Sequence, residues 1–207
     1  MRSLLFVALR PVLWLLFGLS VGGRENLPRK GPAIVAANHN SHMDIIFLLS
    51  AFDRRAIDYV SPIGAADYFM RTPLLRFLAL RVIGVLPIER RVGRGTADPL
   101  DGAREALRAG RILIIFPEGT RGLPEEMGAL KSGLTKLVRE TGAPVVPVYL
   151  QGAGRILPRG ARLPVPFSCT MLVGEALPAG RDRAETMQAL KGSFARLKGE
   201  APPLHWV

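Results

Sequence analysis

The sequence predicts an α/β single domain with a mainly parallel, mixed central sheet flanked by helices, preceded by an apolar helical segment. Three observations predict it. Short apolar runs alternate with helical patterns from residue 32 onward, the order that builds a layered α/β domain. A chain of 207 residues is the size of one ordinary domain that can bury its own core. Residues 4–19 are nearly continuously apolar, broken only at Arg10-Pro11.

That first segment sets a boundary: residues 1–22 as an apolar, membrane-associating segment and 23–207 as the domain proper. About 16 residues at ~1.5 Å rise reach roughly 24 Å, short of a hydrocarbon core of about 30 Å. Arg10 would sit in its middle, which a spanning helix disfavours. No small-residue cleavage site follows the run, so a secretory signal fits poorly. The remaining readings are a core helix and a helix lying in one leaflet with Trp14 near the interface; basic residues at both ends favour the leaflet.

Beyond it, 32–37 is a buried-strand candidate that ends at Asn38, and 45–52 continues as a helix. Residues 56–60 read as a strand and 73–82 as a helix. Residues 85–88 form a short strand whose Pro87 suggests an edge or bulge. Residues 98–110 carry an early acid and a glycine stop, the signs of a helix. The clearest buried strand is 111–116; a helix over 131–140, a strand over 145–150 and a last strand over 168–176 follow. From 181 to 200, Ala184, Met187, Leu190, Phe194 and Leu197 recur at helical spacing, a core-packing stripe. The proline-rich apolar stretch 156–166 reads equally as a membrane or acyl-chain contact and as a surface crossover.

Composition narrows the function. The chain is 48% hydrophobic yet carries 28 Lys+Arg against 17 Asp+Glu, a formal charge of +11. A greasy and basic chain points to an anionic lipid surface, the alternative being an arginine-rich solvated face. Aromatics are 7% and do not interleave with the basic residues, which argues against nucleic acid. The single Cys169 cannot form an internal disulfide and has no metal-ligand spacing around it; it reads as a buried apolar side chain in a reducing compartment.

Two loops leave strand ends with unusual chemistry. In Asn38-His39-Asn40-Ser41-His42-Met43-Asp44, two of the three histidines lie beside a carboxylate. Ser41 and Asp44 also have the spacing of a helix-capping box. His39 and Asp44 are about 140° apart on a regular helix, so they meet only if His39 precedes the helix and the chain bends at Asn40-Ser41. His42 points away from Asp44 and is a poor partner, leaving His39 as base, Asp44 as its orienter and His42 as a bystander. In Phe116-Pro117-Glu118-Gly119-Thr120-Arg121, a tight turn brings a carboxylate, a hydroxyl and a guanidinium together. Arg121 could grip a phosphate there, while the alternative is a connecting loop with an internal Glu118–Arg121 ion pair. If strands 32–37 and 111–116 are parallel, both loops open on one sheet edge, where ligands collect.

Taken together, these residues resemble the glycerolipid acyltransferase family over about residues 23–177. Asn38, His39 and Asp44 match its first block and Phe116–Arg121 its third without change; residues 84–90 look like the second and 145–148 like the fourth. The resemblance implies acyl transfer from a thioester on coenzyme A or acyl carrier protein to a lysophospholipid hydroxyl, with 1-acylglycerol-3-phosphate giving phosphatidic acid. It implies His39 and Asp44 as the catalytic pair, and Glu118, Gly119, Thr120 and Arg121 around the acceptor. Arg121 and Arg90 would sit on its phosphate. No metal or cofactor is implied beyond the thioester donor, and the place implied is the cytoplasmic face of a membrane, peripheral or monotopic. Two departures keep another lysolipid or an aminolipid open as acceptor: residues 64–67 lack a lysine that many relatives carry, and Glu125-Glu126 follow the third block. A thioesterase and a non-catalytic, anionic-lipid-binding module are the competing classes.

Overall fold

The computed structural model describes residues 2–89, 98–158, 160–161, 163–179 and 182–204. Its seven strands are β1 (Ser20–Gly22), β2 (Ala33–Ala37), β3 (Val60–Ala65), β4 (Leu86–Ile88), β5 (Ile112–Ile115), β6 (Val145–Gln151) and β7 (Thr170–Val173). They form one sheet in the order β1-β7-β6-β2-β5-β3-β4. From β6 to β4 every pairing is parallel; β7 runs antiparallel to β6, and β1 runs parallel to β7. The expected mainly parallel, mixed sheet is therefore present. Pro87 lies in β4, which is an edge strand, where a missing N–H leaves no gap in the ladder.

The helices are α1 (Arg2–Phe17), α2 (Met43–Ala51), α3 (Arg54–Ile57), α4 (Ala66–Phe69), α5 (Pro73–Phe77), α6 (Asp101–Arg108), α7 (Gly133–Thr141), α8 (Ala153–Ile156) and α9 (Arg183–Glu200). Strand side chains alternate between two cores. Ala33, Val35 and Ala37 join Ile112, Ile114, Val146 and Val148 beneath α1 and α2. Ile34, Leu113, Ile115 and Val145 instead meet Ala103 and Leu107 of α6, Leu134 and Leu137 of α7, and Leu190 and Phe194 of α9.

Several expectations need correction. Residues 54–57 form α3, and the strand begins only at Val60. Ala56, Ile57 and Val60 are apolar at the i, i+1, i+4 spacing of a helix turning into the core, while Pro62 and Gly64 disguise the strand that follows. The helix expected over 73–82 stops being α-helical at Phe77 and continues as a π-turn, Leu78–Ile83, which ends on Gly84 with φ 74°. On α9, Thr186 is buried and Ala184 is exposed, so the stripe is shifted at its first turn.

Within residues 1–22, Ser20–Gly22 pairs with β7 as the sheet's last strand. Phe6, Leu13 and Phe17 of α1 are core residues. Arg10, the charge interrupting the apolar run, turns inward: its Nε donates to the Ser50 carbonyl at 2.6 Å and its guanidinium also donates to the Phe52 carbonyl. Those carbonyls lie at the end of α2 and have no helical donor of their own. The outer face of α1 stays apolar and exposed at Leu4, Leu5, Val12, Trp14, Leu15 and Leu16. Among the described residues, no helix is long and apolar enough to cross a membrane. Cys169 is fully buried, and burial pushes its thiol pKa up.

Candidate active site

Strands β2 and β5 are parallel neighbours, so the loops leaving their carboxyl ends lie side by side. The first loop is anchored by Asn38, whose side chain is buried. Its Nδ2 donates to the Leu150 carbonyl at 2.8 Å and to Asn40 Oδ1 at 2.7 Å, and its Oδ1 accepts from Leu150 N–H at 2.7 Å. This closes the loop onto β6 before the chain turns into α2.

Asp44, in the first turn of α2, is wholly buried. Its Oδ2 accepts three hydrogen bonds at 2.8 Å each, from the backbone N–H groups of Asn40 and Ser41 and from His39 Nδ1. Ser41 Oγ in turn accepts from Met43 N–H at 3.2 Å. The N-cap position of α2 is His42, one residue beyond Ser41, and its side chain caps nothing; the carboxylate that satisfies the N–H groups before the helix also receives the imidazole. With Nδ1–H directed at a carboxylate, the lone pair sits on Nε2. Nε2 has no hydrogen-bond partner among the described residues. The ring is held flat against Phe116, centroids 4.0 Å apart and planes 17° apart. Asp44 Oδ1 is buried without a partner.

The second loop does not contain the Glu118–Arg121 ion pair. Glu118, 5% exposed, turns inward instead; its Oε1 accepts from His39 N–H at 2.9 Å and its Oε2 from Gly128 N–H at 2.7 Å. Gly122 N–H donates to the His39 carbonyl at 2.8 Å. Glu118 therefore shapes the site by tying both loops together. Gly119 has φ 72°, a left-handed conformation that favours glycine, and the flexible Lys131 side chain lies close over it.

A cavity of about 480 Å³ opens over these loops. His39, His42, Thr120, Arg121 and Lys131 line it, with Tyr68 and Glu89, and Ile63, Ile88, Leu100, Ile115, Leu134 and Leu137 add apolar surface. Arg121 and Lys131 form no ion pair among the described residues, which leaves two uncommitted cations beside the free imidazole nitrogen. Arg90 lies outside the described residues.

Nothing in the sequence marks Tyr68 as a member of the site, and the reading of His42 as a bystander needs qualifying. His42 is no bystander to the cavity: it lines the wall, with Nε2 3.0 Å from Tyr68 Oη and the two rings stacked at 5.4 Å. Burial first, then the nearby charges of Arg121 and His39, lower its pKa from the ordinary 6.5 to about 4, so it is neutral near pH 7. Lys131, which begins the Lys131-Ser132-Gly133 step that the family resemblance shares, adds a cation to the cavity; Tyr68 had no signal in the sequence, because α4 brings it there. Glu125 and Glu126 do not line the cavity. Glu125 Oε2 accepts from Arg155 Nε at 3.1 Å, and the carbonyls of Leu123 and Glu126 accept from the Asn40 amide. No cluster of metal-ligating side chains occurs among the described residues.

An α/β sheet that carries a half-buried histidine on a buried aspartate at a strand end, beside two cations and apolar walls, has the parts that general-base chemistry needs. The chain belongs to the acyltransferase family, whose model matches residues 18–151. It is 34% identical over 146 residues to a chloroplastic 1-acyl-sn-glycerol-3-phosphate acyltransferase of Arabidopsis thaliana, covering 70% of this chain and 39% of that one. A Pseudomonas aeruginosa protein named 1-acyl-sn-glycerol-3-phosphate acyltransferase is 30% identical, with 89% of this chain and 70% of that one covered. The crystal structure of the 1-acyl-sn-glycerophosphate acyltransferase PlsC from Thermotoga maritima superposes with a TM-score of 0.73 at 26% identity, covering 94% of this chain and 76% of that one. The chain spans well under half the length of the chloroplastic relative.

Proposed function

We propose that the protein transfers a fatty acyl group from an acyl thioester, on coenzyme A or acyl carrier protein, to the free hydroxyl of 1-acylglycerol-3-phosphate, giving phosphatidic acid. The observation that carries this reading is His39 Nδ1 held 2.8 Å from buried Asp44, its other nitrogen facing a cavity that also holds Arg121 and Lys131. His39 Nε2 takes the hydroxyl proton as the oxygen attacks the thioester carbonyl carbon. The tetrahedral oxyanion then collapses, the carbon–sulfur bond breaks, and the imidazolium returns the proton to the leaving thiolate. Asp44 stabilises the imidazolium between these steps, general-base help of about 10²–10⁴ in rate. No covalent acyl-enzyme is required.

Arg121 and Lys131 suit a phosphate monoester on the acceptor. The carboxylates that favoured another headgroup, Glu125 and Glu126, lie outside the cavity, which supports the phosphate acceptor over an aminolipid one. Both substrates are amphiphiles, and the exposed apolar face of α1 suits a monotopic seat in one leaflet on the cytoplasmic side, where soluble thioesters are found.

The test is purified protein with labelled acyl-CoA or acyl carrier protein and a panel of lysolipids, read by product mass. Phosphatidic acid is the expected product, lost in His39→Ala while vesicle binding persists. Free fatty acid as the sole product would make the protein a thioesterase. Binding without any turnover would make it a lipid-binding module.

A further inference from the structure

Between Tyr68 and Ile88 the chain carries Arg71, Arg76 and Arg81 and no acidic residue. The same stretch exposes apolar side chains: Leu74 is 68% exposed, Phe77 57% and Leu78 40%. Thr72 caps α5 by accepting from Leu75 N–H at 3.2 Å, and Pro73 begins its first turn. Positions 74, 77 and 78 therefore fall on one helical face, turned away from the core. Beside that face, Met70, Pro73, Arg76, Phe77, Leu80 and Arg81 line a groove of about 420 Å³. Its walls are apolar and both of its charged members are guanidinium groups. Apolar tails beneath anionic headgroups are the chemistry that complements this surface, and the absence of any acidic side chain along it leaves nothing to repel them.

We propose that the face of α5 with its adjoining groove is a membrane-docking surface for an anionic leaflet, a second contact beside α1. The π-turn after α5 packs against α1, and the Arg2 side chain lies against Gly84. A single helix on a leaflet leaves the domain free to roll about the helix axis; a second contact removes that freedom. Tyr68 and Phe69 line the cavity and lie only a few residues before α5, so seating α5 brings that cavity wall to the lipid. This consequence rests on the acyltransferase reading; the docking itself does not.

The experiment uses the full chain and vesicles of phosphatidylcholine with or without phosphatidylglycerol. Leu74→Ser combined with Phe77→Ser is expected to weaken partition into phosphatidylglycerol-containing vesicles by about tenfold. Arg76→Gln combined with Arg81→Gln is expected to weaken binding to those vesicles alone and to flatten its salt dependence. A polarity-sensitive fluorophore on Leu74→Cys should shift to the blue on vesicles, whereas the same label on Lys191→Cys, exposed on α9, should not; Cys169 is buried and stays unlabelled. Unchanged partition with no spectral shift overturns the proposal. A change of oligomeric state in the serine variant without vesicles also overturns it, by assigning the face to a second copy of the chain. Lost vesicle binding in the serine variant, with transfer to a monodisperse short-chain acceptor retained, supports docking. Vesicle binding by a wild-type protein that acylates no lysolipid would sink the function and leave the docking intact.

Discussion

Asp44→Asn isolates the charge of the buried carboxylate from its shape. The amide oxygen can replace Oδ2 and still accept from Asn40 N–H, Ser41 N–H and His39 Nδ1, each now at 2.8 Å. The amide nitrogen then occupies the place of Oδ1, which has no partner, so the substitution creates no clash between donors. What disappears is the negative charge facing the imidazolium formed as the acceptor hydroxyl is deprotonated. If that charge supplies the general-base advantage, kcat should fall by about 10²–10⁴, or roughly 2.7–5.4 kcal/mol of transition-state stabilisation. Initial rates at saturating donor and acceptor measure it, with the acceptor KM nearly unchanged and the circular dichroism spectrum native. Activity above about a tenth of wild type in a folded variant would refute the reasoning and reduce Asp44 to a helix cap.

Three further outcomes follow from the same geometry. Arg121→Lys should raise the acceptor KM about tenfold with a smaller change in kcat, because an ammonium cannot reproduce the planar two-pronged grip on phosphate; an unchanged KM would remove Arg121 from the headgroup site. Glu118→Gln leaves either His39 N–H or Gly128 N–H facing an amide donor, at a cost of about 2 kcal/mol, or roughly 4–8 °C in the melting temperature of a chain this long; a melting curve identical to wild type would show that Glu118 does not tie the loops. His42 binds protons more readily unfolded, at the ordinary 6.5, than folded, at about 4, so it makes stability fall as pH drops through that window; in His42→Gln that part of the decline should vanish from melting curves taken across the window, while most activity near neutral pH remains.

Local chemistry explains what could be read without coordinates. The capping signals at Ser41 and Asp44 and the five-residue step from His39 sufficed to bring an imidazole back onto a carboxylate, because the turn before a helix is settled by a few neighbouring residues. Uninterrupted apolar runs marked β2, β5 and β6, each buried throughout or nearly so. Strand β3 was hidden, since Pro62 and Gly64 break its pattern and only pairing with β5 and β4 makes it a strand.

Partners distant in sequence needed the tertiary structure. Glu118 and Arg121 are neighbours that looked like an ion pair, yet the carboxylate turns inward and binds backbone N–H groups at His39 and Gly128, because a buried carboxylate must find donors where it lies. Tyr68 and Lys131 reach the cavity only because β3 and β5 carry their connections to one sheet edge. The sequence by itself determined the His39–Asp44 pair, the strands of the core and the greasy, basic character of the chain, all consequences of short-range pattern. Tertiary packing alone decided that Arg10 caps α2, that β1 closes the sheet and that Glu125 stays out of the cavity. Each of these depends on which backbone groups and charges burial leaves without water, and that is a property of the assembled layers.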